Sequence, residues 1–196
     1  AERISVERVA DRVWEREWLK DFHSMRFGRR LWIVPTHETP PTDADSVCVR
    51  LDPGLAFGTG THPSTALCLT WLDSRLPPTA EVIDYGCGSG VLAIAAAKLG
   101  ARSAQAFDID PQALIATRDN AQVNGVQHII QVHEAASALR APVDAVLANI
   151  LAGTLVELAP QLCGLLRPGG QLVLAGILKQ QVHEVRAGFA RWIELT

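Results

Sequence analysis

Three glycines at alternate positions, Gly86, Gly88 and Gly90, separate Glu81-Val82-Ile83-Asp84-Tyr85 from the run Val91-Leu92-Ala93-Ile94-Ala95-Ala96-Ala97-Lys98-Leu99-Gly100. The stretch reads as strand, glycine turn and helix: Val82 and Ile83 suit a buried strand, and Gly100 suits a C-terminal cap. Such a turn points backbone N–H groups and a helix N-terminus at a ligand. Asp108 lies 22 residues after Gly86 and ends the apolar segment Ser103–Phe107. A carboxylate there accepts both hydroxyls of a ribose. In Asp110-Pro111 the preferred N-cap residue precedes proline at the first helical position, so one aspartate binds and the other caps. The plainer alternative makes both turn and cap residues.

Two further polar residues share that rim. Asn149 follows the apolar strand Val143–Ala148, and its amide can accept from a substrate amine while the backbone carbonyls of Asn149 and Ile150 accept beside it. An asparagine ending a strand is more commonly a turn residue, but its position beside Gly86 and Asp108 favours function. Thr65 opens a helix and either donates its hydroxyl to the amino-acid end of the ligand or bonds its own backbone. His62, close by, has the same two readings, a ligand contact or a structural imidazole, and leans to the second.

The glycine spacing narrows the ligand. A dinucleotide fingerprint is G-x-G-x-x-G, whereas here the spacing is G-x-G-x-G and Val91 stands where the third glycine belongs, which counts against a nicotinamide cofactor. The passage Leu51 to Thr65 carries glycines at 54, 58 and 60 but no lysine after the last one, so it is not a Walker phosphate loop. Its place ahead of the first sheet strand makes it a lid over the glycine turn, with Leu55, Ala56 and Phe57 able to line an apolar pocket.

The elements that must position these groups alternate. A helix is expected over Ser5–Phe22 on the stripe Val6, Val9, Val13, Trp14, Trp18 and Phe22. Strands follow at Leu31–Val34 and Val47–Leu51, then a helix over Ala66–Leu72 and the central strand, turn and helix. Beyond Asp110 the spacing predicts a helix closed by Asn124-Gly125, a strand Ile129–His133, the strand Val143–Ala148 and a helix Thr154–Leu166. A turn Arg167–Gly170, a strand Gln171–Ala175, a helix Lys179–Phe189 and a strand Trp192–Leu195 complete the chain. Such alternation specifies an α/β fold with a mainly parallel, doubly wound sheet, whose ligands bind beyond the carboxyl ends of the strands. Residues 1–50 form an N-terminal linker helix and strand, and residues 51–196 the ligand-binding domain.

Composition removes other classes. The 196 residues are 48% hydrophobic, enough for one sizeable core. A net charge of −3 offers nucleic acid no general attraction, and the cluster Arg26, Arg29, Arg30 reads as a solvated turn. Cys48, Cys68, Cys87 and Cys163 form no C-x-x-C pair, so free thiols in a reducing cytoplasm fit better than a disulfide framework or a zinc site. No metal is expected. The sequence contains no signal peptide and no apolar run long enough to span a bilayer.

The motif Asp84-Tyr85-Gly86-Cys87-Gly88-Ser89-Gly90 resembles the first motif of S-adenosylmethionine-dependent methyltransferases. Taken with Trp14-Glu15-Arg16-Glu17-Trp18, Leu51 to Thr65, Asp108-Ile109-Asp110-Pro111 and Ala148-Asn149-Ile150-Leu151-Ala152-Gly153, the chain from about Trp14 to Gly176 resembles the PrmA family. Its members methylate amino groups, chiefly lysines, of the eleventh protein of the large ribosomal subunit. The resemblance implies a class I methyltransferase fold, S-adenosylmethionine contacts at Thr65, Gly86, Gly88, Asp108 and Asn149, and a catalytic part for Asn149. It also implies a ribosomal protein partner, no membrane, no direct nucleic acid, a monomer and a cytoplasmic location. Family members carry a separate N-terminal recruiting domain and a further strand at the end, neither of which this sequence includes.

Methyl transfer from a sulfonium is an in-line displacement, so positioning groups should outnumber titrating ones. The amine must be neutral, and free lysine has a pKa of about 10.4; an apolar pocket beside a cationic donor lowers it. Two rival readings share the cofactor half. One is methylation of an RNA base or small molecule, and the other is a non-catalytic S-adenosylmethionine-binding module.

Overall fold

The computed structural model describes residues 23–52 and 62–196. The expected helix Ser5–Phe22 and residues 53–61 of the expected lid, including Leu55, Ala56 and Phe57, lie outside the described residues.

A three-stranded sheet comes first. Strand β1 (Met25–Phe27) runs antiparallel to β2 (Leu31–Val34), which runs parallel to β3 (Val47–Arg50). Only β2 and β3 were expected. Arg29 and Arg30 do form a turn, but Arg26 belongs to β1, with its guanidinium 5.7 Å from the Trp32 ring centre. Three residues are too few to show a period, which is why β1 escapes a pattern reading. Phe27, Leu31, Ile33, Val49 and Leu51 join one apolar cluster with Cys68, Leu69 and Leu72 of helix α1 (Pro63–Arg75). Asp73 of α1 accepts from the backbone N–H groups of Arg29 and Arg30, which pins the β1–β2 turn to that helix.

The second sheet has five strands, all parallel, in the order β6-β5-β4-β7-β8. Strand β4 (Glu81–Tyr85) is central and feeds helix α2 (Val91–Lys98); β5 (Ser103–Phe107) feeds α3 (Pro111–Val123), and β6 (Ile130–His133) forms one edge. Chain order then jumps to the other side of β4, where β7 (Val143–Asn149) and β8 (Leu166–Ala175) lie. That jump makes the switch point between β4 and β7, where such sheets bind ligands. Side chains alternate along the strands: Val82 and Leu147 face α1 and α2, while Ile83, Tyr85, Val146 and Ala148 face α4 (Ala152–Glu157), α5 (Ala159–Gly164) and α6 (Val182–Phe189). Val143 sides with Val146 because the β7–β8 ladder shifts register between Val143 and Ala145. Every residue of α2 from Val91 to Ala97 is buried, as a helix apolar on all sides requires.

Helix ends follow the sequence signals. Gly100 and Gly125 have φ of 104° and 69° and follow α2 and α3. In both, the next residue's N–H reaches back into the last turn, Ala101 to Ala96 and Val126 to Ala121, each at 3.0 Å. Buried amides join neighbouring elements by imitating a peptide: Asn124 accepts from Arg50 N and donates to Arg50 O, both at 2.7 Å. Gln105 makes the same two-way pairing with Arg140 at 2.8 and 2.7 Å.

Three expectations need correction. The single helix Thr154–Leu166 is two helices, because Pro160 lacks the N–H that a continuous helix would use and instead sits in the first turn of α5. Arg167–Gly170 does not precede the last sheet strand but is looped out within it, since Val143 pairs with Leu166 and Ala145 with Gln171. Trp192–Leu195 is no strand: Trp192 N and Ile193 N both donate to Phe189 O, and Ile193 and Leu195 pack on the α4–α6 cluster without ladder bonds. Alternation reports one packed face, which an irregular segment can also present.

Candidate active site at the switch point

The glycine turn is shaped by close approaches. Gly86 and Gly90 have φ of 80° and 77°. A Cβ at Gly86 would collide with Ile150 Cγ2, and one at Gly90 would lie 2.7 Å from Thr117 Cγ2. Side chains are therefore excluded both by conformation and by space. From behind, α3 clasps the turn: Thr117 Oγ1 donates to Gly88 O at 3.1 Å and Asn120 Nδ2 to Ser89 O at 2.9 Å.

The expectation that this turn aims its N–H groups at a ligand is overturned for four of them. Gly86 N and Cys87 N donate to Phe107 O at 2.8 and 3.0 Å, Gly90 N to Cys87 O at 2.8 Å, and Gly88 N to Asp108 Oδ2 at 2.9 Å. A dinucleotide turn needs such donors for pyrophosphate. This turn commits them to the next strand and to itself, so it is a poor phosphate cradle and suits a ligand without phosphates.

Asp108 stands just past β5, half-buried, and its carboxylate serves two turns. Oδ2 accepts from Gly88 N and Oδ1 from Asp110 N at 3.0 Å. Each carboxylate oxygen has a second lone pair available for a ligand hydroxyl. Asp110 caps α3 by accepting from Gln112 N at 2.9 Å, which separates the two aspartates as the sequence suggests.

Asn149 and Thr65 meet. Thr65, 2% exposed in the first turn of α1, accepts from Asn149 Nδ2 at 3.1 Å. Asn149 is the last residue of β7 and is paired in register with Ala175 of β8. Its Oδ1 has no hydrogen-bond donor among the described residues, and the Thr65 hydroxyl keeps its proton for another acceptor. His62 caps α1, accepting from Ser64 N at 3.3 Å, in keeping with a structural imidazole.

Asp84, inside the glycine motif, has a role that the spacing alone does not show. Its carboxyl is 1% exposed; Oδ2 accepts from Ala93 N at 3.1 Å, supplying the α2 cap that Gly90 lacks a side chain to provide. Oδ1 accepts from no group among the described residues. Burial pushes the carboxyl up to about 7 despite that hydrogen bond, and the charge of Asp108 adds to the rise. Its signal was an acid in the apolar middle of a buried strand, which must either pair or wait for a partner. Burial likewise pushes the Cys68 thiol up to about 12 and the Cys87 thiol higher still, so neither is a nucleophile. No His/Cys/Asp/Glu group able to hold a metal occurs among the described residues.

The turn, Asp108, Thr65 and Asn149 thus surround one rim that offers carboxylate and amide oxygens rather than cationic groups, with Asp84 buried beneath it. That donor set fits a cationic, ribose-bearing ligand and an amine beside it.

The family model described as ribosomal protein L11 methyltransferase (PrmA) matches residues 1–196. The chain is 56% identical over 191 residues to the ribosomal protein L11 methyltransferase of Pseudomonas aeruginosa (strain LESB58), covering 97% of this chain and 65% of that protein. Its identity to the protein of the same name from Azotobacter vinelandii is 58% over 186 residues, covering 94% and 63%. The crystal structure of ribosomal protein L11 methylase from Lactobacillus delbrueckii subsp. bulgaricus superposes with a TM-score of 0.78 at 37% identity, covering 87% of this chain and 88% of that one. The chain therefore spans about 65% of the length of the first of these relatives.

Proposed function

The chain belongs to the ribosomal protein L11 methyltransferase family, and on that premise we propose that it carries the part of such an enzyme that transfers methyl groups from S-adenosylmethionine to amino groups of a large-subunit ribosomal protein, lysine side chains or the N-terminal amine. The observation that carries the reading is the bond from Asn149 Nδ2 to Thr65 Oγ1. With one of its two N–H groups committed to Thr65, the Asn149 amide is turned so that Oδ1 is available as an acceptor for an incoming N–H group.

In this reading Gly86 and Gly88 let the backbone approach the cofactor, Asp108 accepts from its ribose hydroxyls, and the Thr65 hydroxyl donates to the carboxylate of its amino-acid end. S-adenosylmethionine, when bound, supplies an electrophilic methyl group on a sulfonium. Asn149 orients the amine, and the Asp108 carboxylate favours a cation on this rim. We divide the chain at residue 50, with the small sheet as an arm on the methyltransferase domain. A monomer suffices, since every group named comes from one chain. A net charge of −3 favours a protein substrate over RNA, and no described helix is long and apolar enough to cross a membrane. The cytoplasm is where a ribosomal protein would meet the enzyme.

Purified ribosomal proteins, ribosomal RNA and amine metabolites should be incubated with the chain and S-adenosylmethionine, then examined by mass spectrometry. Added methyl groups on one large-subunit protein are expected. Methylated RNA or metabolites, or cofactor binding without turnover, would replace this reading by one of its rivals.

A further inference from the structure

We propose that Ile150 is a positioning residue: wedged between two glycines, it sets Asn149 against the turn that receives the methyl donor, a proposal that rests on the reading above. Two contacts make the wedge. Its Cγ2 occupies the space in front of Gly86, where any Cβ would collide with it. Its backbone lies against Gly176, just beyond β8, where a Cβ would collide with Ile150 O and lie 3.1 Å from its carbonyl carbon and 3.3 Å from its nitrogen. Both glycines have positive φ, 80° and 82°. The exits of three adjacent strands, β4, β7 and β8, therefore close on one residue.

Asn149 has two other restraints. It pairs with Ala175 in the ladder, and its side chain donates to Thr65. Neither touches the glycine turn. The Ile150 side chain, packed beside the α4–α6 cluster, spans from the β7 exit to Gly86. A β-branched side chain has few χ1 states, so it acts as a rigid spacer. Truncation to alanine removes the spacer, and the amide that meets the amine loses its fixed distance to the turn. Misplacement on the scale of an ångström costs rate rather than affinity.

The test compares Ile150→Val, which keeps the branch at Cβ, with Ile150→Ala. Turnover per folded molecule at saturating cofactor and ribosomal protein should fall about tenfold or more in Ile150→Ala and less than about threefold in Ile150→Val. S-adenosylhomocysteine affinity by calorimetry should stay within about threefold for both, since the cofactor's own contacts remain. The second readout needs no substrate: in nitrogen–proton NMR spectra of the chain, the Asn149 side-chain amide pair should move or broaden in Ile150→Ala and stay in Ile150→Val. A third arm makes Gly86→Ala in the natural chain and in the Ile150→Ala background. The added methyl should do less harm to S-adenosylhomocysteine affinity in the Ile150→Ala background, where the space in front of it is free. An unmoved Asn149 amide in Ile150→Ala would overturn the wedge whatever the enzyme's substrate. Unchanged turnover in a variant whose amide has moved would do the same for its catalytic consequence. A wild-type chain that methylates nothing, with the amide shift intact, would count against the proposed function alone.

Discussion

Asn149 at the end of β7 donates its side-chain N–H to the hydroxyl of Thr65 in the first turn of α1, 3.1 Å away and 84 residues distant in sequence. Neither residue is informative alone, since a strand-ending asparagine and a helix-opening threonine both have routine structural uses. Together they turn the amide so that its oxygen faces outward.

This pairing predicts an energetic coupling. Thr65→Val and Asn149→Ala should each lower kcat/KM, and the double variant should lose less than the two together, with an interaction energy of about 0.5–1.5 kcal/mol. Strict additivity in the double-mutant cycle would mean that the two side chains act independently.

On the proposed reading, in which its oxygen meets the amine rather than the donor, Asn149→Ala by itself should lower kcat more than it weakens cofactor binding. Steady-state rates beside calorimetric titration of S-adenosylhomocysteine separate the two. The reverse pattern would leave Asn149 as a cofactor contact only.

Asp108→Ala should weaken cofactor binding by roughly 1.5–3 kcal/mol, the scale for hydrogen bonds to a charged group. Since Asp108 also accepts from Gly88 N and Asp110 N, the protein without cofactor should melt lower as well. Unaltered calorimetric affinity would remove Asp108 from the site.

Asp84 predicts a pH dependence of opposite sign to that of an ordinary paired carboxylate. Its folded-state value, raised from 3.8 to about 7 mainly by burial, means that the native protein holds a proton the unfolded chain releases. The contribution of this group is fully present below pH ~4 and is lost as pH rises through about 7. Relative to Asp84→Asn, the natural chain should therefore lose stability between pH ~4 and ~7 and then level off, with other groups cancelling in the difference. Urea unfolding of both proteins across that range checks it. A flat difference would show that Asp84 is ionised in the folded protein throughout.

Asn124→Ala should cost about 1–3 kcal/mol without changing cofactor affinity, because it strands the part-buried N–H and C=O of Arg50 far from the site. Chemical denaturation measures the loss. A fall in cofactor affinity of more than a few-fold would mean that the small sheet communicates with the active site.

The run of strands and helices from α1 to β7, the caps at Asp110, Gly100 and Gly125, and the glycine turn were legible in the sequence because each rests on contacts within about a dozen residues. Hydrophobic period, capping chemistry and positive φ are local, so the residues that cause them stand next to one another. The places of Asp108 and Asn149 at strand ends were legible for a related reason: a parallel sheet places every strand end on one rim, so counting to the end of an apolar run finds that rim. Only the tertiary structure decided where the hydrogen bonds of the rim go. The donors of the glycine turn are taken up by Phe107 and Asp108, the Asn149 amide is turned by Thr65, Asp84 is left with one oxygen unpaired, and Ile150 is held between Gly86 and Gly176. These contacts join elements that the parallel sheet and the helices packed on it bring together. Packing of that kind depends on the shapes of many side chains at once, and no spacing along the chain records it.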